Sequence, residues 1–252
     1  MLRVSQVMGV AVLAALVATA QETAPTLPKS YDCYHTKKPL KIDGKLNEGD
    51  WKKAPWTTDF VDIEGDGKPT PRFHTRAKIL WDDNYLYIGA ELEEPDVKAT
   101  LTKHDSVIFH DNDFEVFIKP IASETGYFEF EMNALNTGWD LYLDKPYNQH
   151  GHADNSWDIP GLKTAVAVKG TLNKSDDTDK GWTVEIAFPW AAYASRLPVV
   201  RPEVGGQWRI DFSRVEWKAG QKREDNWVWS PQGVINMHVP EHWGYLNFRG
   251  KR

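Results

Sequence analysis

The sequence lacks the features that mark several large classes of protein. Its 252 residues include a single cysteine, Cys33, so no disulfide can form within the chain. No run of Lys and Arg stands out, and the net charge of -6 at pH 7 argues against a nucleic-acid partner. No phosphate-binding glycine loop and no Ser-His-Asp or Cys-His arrangement is evident, so nothing points to nucleotide-dependent or nucleophilic catalysis.

A long apolar run is also missing. The apolar stretch 7–17 is too short to be assigned as a membrane span. It follows Arg3 and precedes Ala18-Thr19-Ala20, an order typical of an export signal cleaved just before Gln21. A retained membrane anchor is the alternative interpretation.

The chain is therefore divided into three parts by its composition. We predict a signal peptide at 1–20, a Pro/Thr-rich linker at 21–30 and one domain at 31–252. The mature protein is expected in the periplasm or outside the cell, with no membrane contact after signal cleavage.

What the domain has in abundance is sequence typical of short strands. Segments such as 113–120, 126–134 and 181–188 alternate apolar and polar residues, and turn signals separate them. Helical patterns are limited to 47–54 and 189–197. We predict an all-β fold, a two-sheet antiparallel β-sandwich of immunoglobulin or jelly-roll type with one or two short helices. A barrel is the alternative.

Several predicted strands carry polar residues that accept or donate strong hydrogen bonds in mid-strand. Asp, Glu and Asn are disfavoured there by their low β propensity. Carboxylates and amides accept hydrogen bonds from hydroxyl groups, and Arg donates them in a fixed fork, so such a face suits a sugar. The candidate residues are Glu115, Glu131, Asn133, Glu185 and Arg214. A solvated sheet exterior is the alternative, and Arg214 falls on the apolar side of its strand unless a bulge intervenes.

Tryptophan is unusually frequent, with 12 residues in the chain. Flat indole rings stack on the C–H faces of sugars and bury much area at little entropic cost. The candidate stacking residues lie at strand ends or in loops beside polar residues: Trp139, Trp157, Trp217, Trp227 and Trp229. For each of them, packing in the core is the alternative.

One short segment has the spacing of a metal site. His150, His152 and Asp154 alternate, which would place both imidazoles on one face of a strand, where they can share a metal. A polar loop is the alternative. The acidic segments 110–113 and 176–179 could hold calcium through oxygen atoms, but neither has the spacing of a dedicated loop.

Seven motifs, in order over roughly residues 39–248, resemble family 9 carbohydrate-binding modules and their DOMON-superfamily relatives. They are LKIDGKLNEGDWKKAPWTTDF, AKILWDDNYLYIGAEL, DNDFEVFIKP, YFEFEMNALNTGWD, GWTVEIAFPW, WRIDFSRVEW and HWGYLNF. The resemblance implies a β-sandwich that binds sugars, often at chain ends, between aromatic rings, with structural calcium in some members. It also places Glu115, Asn133, Glu185 and Arg214 on the family's recurring polar positions.

Well-known modules of this family are appended to a glycoside hydrolase, whereas this sequence predicts one domain. We therefore expect an exported, non-catalytic protein that binds poly- or oligosaccharide. Its expected role is in carbohydrate catabolism, where a separate glycoside hydrolase would be its partner. Calcium, if bound, would be structural.

Two other functions stay open at this point. A glycosidase needs two carboxylates about 5 or about 6.5–9.5 Å apart, and Glu115, Glu131 and Glu185 are among the residues that could supply them. A haem- or protein-binding role follows from the DOMON resemblance. Haem would need axial ligands such as Met and His, and Met132 and Met237 are the only methionines that follow the predicted signal peptide.

Overall fold

A computed structural model describes residues 27–198 and 201–252 of the chain. The predicted signal peptide and most of the linker lie outside these residues. Within them, no helix has the length and apolar character needed to cross a membrane. Two short helices are present, α1 (Gly49–Lys53) and α2 (Trp190–Tyr193), near the two predicted helical segments.

Strands make up most of the rest of the described chain. In chain order they are β1 (Ser30–His35), β2 (Val61–Asp62), β3 (Thr75–Trp81), β4 (Tyr85–Leu92), β5 (Asp113–Lys119), β6 (Tyr127–Asn133), β7 (Gly138–Leu143), β8 (Ala153–Asp154), β9 (Lys163–Val168), β10 (Trp182–Pro189), β11 (Gln207–Glu216), β12 (Asp225–Val228) and β13 (Gly244–Lys251). The predicted all-β class is confirmed.

The strands form two layers that share one hydrogen-bonded path. The first layer has the order β8-β7-β6-β5-β11-β12-β2, and the second has the order β13-β1-β3-β4-β10-β9. The long strand β11 connects them, because one of its edges pairs with β5 while the other pairs with both β13 and β12. Neighbouring strands are antiparallel except for β1, which runs parallel to both β13 and β3.

The main core lies between the layers and is built by the period-two alternation of the sequence. In β5 and β6, every second residue from Phe114 and Phe128 onward points inward. The matching apolar residues of β4 and β10, such as Ile88 and Val184, face them. Each such side chain contributes about 1.5–3 kcal/mol by leaving water. Cys33 is buried in this core as a free thiol.

Both layers also have an outer face that the chain partly covers. On the second layer, Trp51 of α1 packs over Leu80, Tyr87 and Ala187. On the first layer, residues 231–243 fold back, and Trp243 packs with apolar side chains of β5, β6 and β7. These covers decide which polar groups of the two outer faces meet solvent.

Candidate functional site

A pocket of about 350 Å³ opens on the outer face of the first layer. Its floor follows from strand register. Glu131 of β6 lies directly opposite Glu115 of β5 and Trp139 of β7, and Glu129 lies opposite Phe117. Because the side-chain period in a strand is two, Glu129 and Glu131 emerge on the same face. We call this site the acidic pocket, with Glu115, Glu129, Glu131 and Trp139 as its defining residues.

Aromatic side chains form the walls of the acidic pocket. Phe109 lies beside Trp139 with ring centroids 6.3 Å apart, and Tyr147 meets His238 edge-on with centroids at 4.5 Å. The backbone N–H of Phe109 donates to Glu131 Oε2 at 3.0 Å, so the wall is tied to the floor. Flat rings around polar groups are the surroundings that a sugar ring requires.

The carboxylates of the floor are buried together without a balancing cation. Glu115, Glu129 and Glu131 are each at most 5% exposed. Burial, reinforced by neighbouring carboxylates, raises the pKa of Glu115 to about 7 and the pKa of Glu129 to about 8. Burial and the nearby carboxylates likewise raise the pKa of Glu131 well above its ordinary value.

No Lys or Arg stands among the described residues that line the pocket. Its one histidine, His238, does not supply a positive charge at neutral pH, because burial lowers its pKa to about 4. A fourth glutamate, Glu224, also lines the pocket. Like charges placed directly opposite in a sheet are destabilising, so this arrangement is more readily explained by binding than by stability.

Two oxygen atoms of this acidic group make no hydrogen bond to the described protein. They are Oε2 of Glu129, in the pocket floor, and Oδ2 of Asp113, two residues before Glu115 in β5. The other oxygen of Asp113 accepts the Val215 N–H at 2.9 Å. Buried polar atoms are nearly always paired, so the free Oε2 of Glu129, which lines the pocket, marks a place where a donor from outside the chain would be stabilised.

Of the residues predicted from sequence, three line the acidic pocket: Glu115, Glu131 and Trp139. A fourth, Trp217, supports it from behind, since its indole N–H donates to the Phe109 carbonyl at 2.8 Å. The structure thus brings together a subset of the predicted polar and aromatic residues on one face.

Glu185 was expected on the same polar face, but it lies on the outer face of the second layer instead. Its carboxylate accepts the backbone N–H groups of Asp43, Gly44 and Lys45 and the indole N–H of Trp51, at 2.7–3.2 Å. It is 0% exposed. Its contacts hold the segment before α1 against β10. Strand parity indicates which side of its strand Glu185 occupies, but it does not indicate which layer the strand joins.

Arg214 also lies outside the pocket, on the core side of β11 as its parity indicated. Its guanidinium donates to Glu216 at 2.7 Å, to Glu94 at 2.9 Å and to Thr75, and it is 0% exposed. It also lies 5.1 Å from the ring centre of Trp227. This network satisfies the guanidinium within the chain.

Asn133 and the remaining tryptophans have structural surroundings. The Asn133 amide donates to Asp111 and to the Leu101 carbonyl, while its oxygen accepts two backbone N–H groups of the β6–β7 turn. Trp157, Trp227 and Trp229 belong to the main core and are at most 6% exposed. For these three, core packing is the arrangement that the structure displays.

The proposed metal ligands do not converge. Asp154 is bound by Arg196 and Ser156, and His152 lies 3.9 Å from Asp144. His150 is exposed in a turn with a positive φ of 61°. The three residues appear in neither of the close donor groups found among the described residues.

Those two groups differ in composition. In one, His104 lies 3.1–3.3 Å from carboxylate oxygens of Asp105, Asp140 and Asp158. Burial opposes protonation of His104, but the hydrogen bond to Asp158 and the surrounding negative charges raise its pKa overall, so the histidine itself balances this group. The other group, at the acidic pocket, is formed by carboxylates alone.

Calcium would need free oxygen ligands in the acidic segments named from sequence. Asp111 instead accepts N–H groups of Thr100 and Leu101, and Asp179 accepts those of Val97 and Thr171. Both aspartates thereby act as anchors for loops. The oxygen set that suits a cation best is that of Asp113, Glu115 and Glu131, within 4.8 Å of one another.

Several pocket residues were not selected from the sequence. Glu129 shares the strand parity of Glu131 and could have been included on that ground. Phe109, Tyr147 and His238 come from three separate loops, which long-range folding brings to one pocket. No local pattern of the sequence indicates their proximity.

Comparison with known proteins gives a consistent result. A family model described as "Carbohydrate family 9 binding domain-like" matches residues 42–251. Among curated proteins, Exoglucanase XynX of Acetivibrio thermocellus is 26% identical over 151 residues, which are 60% of this chain and 12% of that protein. Endo-1,4-beta-xylanase C of Paenibacillus barcinonensis is 32% identical over 88 residues, 35% of this chain and 7% of that protein. The matched regions are thus small parts of much longer proteins.

Solved structures share the fold at low sequence identity. A structure described as a putative carbohydrate-binding protein from Bacteroides uniformis has a TM-score of 0.68 and 16% identity, over 87% of this chain and 99% of the other. A family 9 carbohydrate-binding module from Caldicellulosiruptor kristjanssonii in complex with cellotriose has a TM-score of 0.59 and 17% identity, over 88% and 95%. The same module in complex with glucose gives a TM-score of 0.60.

Proposed function

This chain belongs to the carbohydrate family 9 binding domain-like family, and on that premise we propose that it binds a saccharide in the acidic pocket without cleaving it. The observation that carries the proposal is the juxtaposition of the buried floor carboxylates, one oxygen of which is unpaired, with Trp139 and further aromatic walls. Carboxylates accept the hydrogen bonds of sugar hydroxyls, and the rings stack on the apolar sugar face. The pocket volume falls within the about 300–1,000 Å³ of small-molecule sites.

Binding without cleavage is supported by where the carboxylates lie. Glu115, Glu129 and Glu131 stand side by side on the floor of one sheet. Glycosidases place their two carboxylates on either side of the scissile bond. A sugar resting on this floor would meet all three from the same side.

The wider role is proposed from the sequence and the relatives. The N-terminal segment with the pattern of an export signal supports action outside the cytoplasm. Relatives named as an exoglucanase and a xylanase support work beside a separate glycoside hydrolase, on poly- or oligosaccharide. Calcium, if bound, is proposed to be structural.

Titration of the purified protein with glucose, cellotriose and xylotriose, followed by tryptophan fluorescence and calorimetry, tests the binding proposal. We expect saturable binding and a loss of about tenfold or more in affinity for Trp139→Ala, equal to about 1.4 kcal/mol. Trp56→Ala is the matched control, because Trp56 is partly exposed beside Arg76 and Lys78, outside the pocket.

Two results would count against the proposal. Folded protein that binds none of a broad panel of saccharides would remove the function. Release of reducing sugar that disappears in Glu115→Gln and Glu131→Gln would replace binding by hydrolysis.

A further inference from the structure

The acidic pocket concentrates carboxyl groups whose ionised forms the described lining does not balance. Four glutamates line it, and the described lining offers no Lys or Arg to balance them. Hydroxyl groups can pair with these carboxyl groups, but they cannot balance the charge that the groups carry when ionised. Burying ionised carboxylates without a partner is strongly unfavourable, so a positively charged ligand gains where a neutral one does not.

The same molecule contains a buried acidic group that is balanced internally. Glu94 and Glu216 both accept hydrogen bonds from Arg214, and all three side chains are at most 4% exposed. In that group the fold itself supplies the cation. The described lining of the acidic pocket supplies no Lys or Arg, and Glu129 Oε2 has no hydrogen-bond partner there.

We propose that the acidic pocket selects a saccharide bearing a free amino group, in its ammonium form, over a neutral saccharide of the same ring structure. The proposal rests on the saccharide-binding function proposed above. The ammonium would donate hydrogen bonds to Glu129 and Glu131, while the sugar ring lies against Trp139. Charge-assisted hydrogen bonds are about twice as strong as neutral ones, and an aromatic ring face also attracts a cation.

A bare metal ion explains less of the geometry. The oxygens of Asp113, Glu115 and Glu131 are close enough to hold one cation. However, such an ion would leave the aromatic walls and most of the roughly 350 Å³ volume without a role. An organic cation uses both the carboxylates and the walls.

Three trisaccharides with the same β-1,4-linked gluco backbone test the proposal. They are the trimer of glucosamine, its fully N-acetylated form and cellotriose, which differ only in the group at C2. Calorimetric titration of the purified protein at neutral pH and low salt should give at least tenfold tighter binding of the amino trimer than of the other two. Because the preference is electrostatic, it should shrink when salt is raised to about 0.5 M.

Substitutions locate the preference in the pocket. Glu129→Gln and Glu131→Gln keep the shape of the side chains and should reduce the amino-trimer preference to about threefold or less, because affinity for the amino trimer falls further than affinity for cellotriose. Glu203→Gln, an exposed glutamate outside the pocket lining, removes the same charge and should leave the preference unchanged. Thermal unfolding of each variant verifies that it is folded.

The outcomes separate the two proposals. Cellotriose binding as tightly as the amino trimer, through Trp139, would overturn the amino-sugar preference and leave saccharide binding standing. Absence of binding to all three by folded protein would count against both. Calcium binding that is lost in Glu131→Gln, with no gain for the amino trimer over cellotriose, would replace the proposal by a metal site.

Discussion

The two outer faces of the sandwich each bury carboxylates in mid-sheet. On one face the chain supplies hydrogen-bond donors to the carboxylate, and on the other the carboxylates face a pocket. On the second layer, Glu185 receives three backbone N–H groups and the Trp51 indole from its own N-terminal segment. On the first layer, Glu115, Glu129 and Glu131 face a pocket, and one oxygen of Glu129 has no partner. The comparison teaches that a glutamate in mid-strand stabilises the fold where the chain supplies its hydrogen-bond donors. Where the chain supplies none, the same residue type is available for binding.

The largest expected effect on stability comes from removing the Glu185 carboxylate, whose hydrogen-bond donors the chain supplies. Glu185→Ala leaves the buried N–H groups of Gly44 and Trp51 without an acceptor and removes the partly buried bonds from Asp43 and Lys45, so we expect a loss of roughly 3–5 kcal/mol in the free energy of unfolding. Urea denaturation followed by circular dichroism measures it. Glu185→Gln keeps one acceptor oxygen and should lose less. A loss below about 1 kcal/mol for Glu185→Ala would mean that water replaces the carboxylate.

A change of the opposite sign in the free energy of unfolding is expected for a substitution in the acidic pocket. Glu129→Gln removes one of the crowded charges, and we expect it to stabilise the protein by roughly 1–2 kcal/mol at pH 8. The same denaturation measurement applies, with Glu203→Gln as the control for a general change of net charge. Destabilisation by Glu129→Gln would show that the Glu129 carboxylate accepts an internal hydrogen bond that the amide does not replace.

The pH dependence of stability sharpens this contrast. The pKa of Glu115 is raised to about 7 and that of Glu129 to about 8, so the folded state holds protons that the unfolded chain, with a Glu pKa of about 4.3, has released. Stability from these groups is present at pH values below the unfolded pKa and is lost as the pH rises through 7–8. The Tm should therefore be higher at pH 5.5 than at pH 8, by on the order of 5 °C.

Calorimetric scans across this pH range measure the effect, and Glu129→Gln should flatten the curve. A Tm that rises steadily towards pH 8 would contradict the assignment. It would indicate that the carboxylates are stabilised in their ionised form.

The smallest expected effect concerns a residue behind the wall. Trp217→Phe removes the hydrogen bond to the Phe109 carbonyl, which is worth about 0.5–1.5 kcal/mol. Phe109 then positions the pocket wall less well, and saccharide affinity should fall a few-fold. Trp56→Phe, at a site remote from the lining, is the control in the same titration. Equal saccharide affinities in both variants would show that Trp217 does not contribute to binding.

Sequence reasoning reached the fold and part of the candidate site for a physical reason. Period-two alternation is local, so it identified the strands, the core and the outward direction of Glu115 and Glu131. It also indicated the inward side for Arg214, since its parity matches that of the apolar residues of β11. Parity is sufficient whenever the question is which side of a strand a residue occupies.

Parity is not sufficient to tell which layer a strand joins or which loop covers it. Glu185 and Glu131 have equivalent patterns but lie on different layers. Phe109, Tyr147 and His238 reach the pocket only through the return of loops that are distant in sequence. The alternating spacing of His150, His152 and Asp154 fails to gather them because β8 begins only at Ala153 and His150 lies in a left-handed turn before it.

The position of β1 has a consequence for how the protein acquires its structure. This first strand lies inside the second layer, between β3 and the last strand β13, and Ser30 pairs with Tyr245. The layer is therefore incomplete until the final residues are available, and its closing step joins segments from opposite ends of the domain. Such non-local pairing slows folding, so a chain being synthesised should leave this layer open until its last strand has emerged.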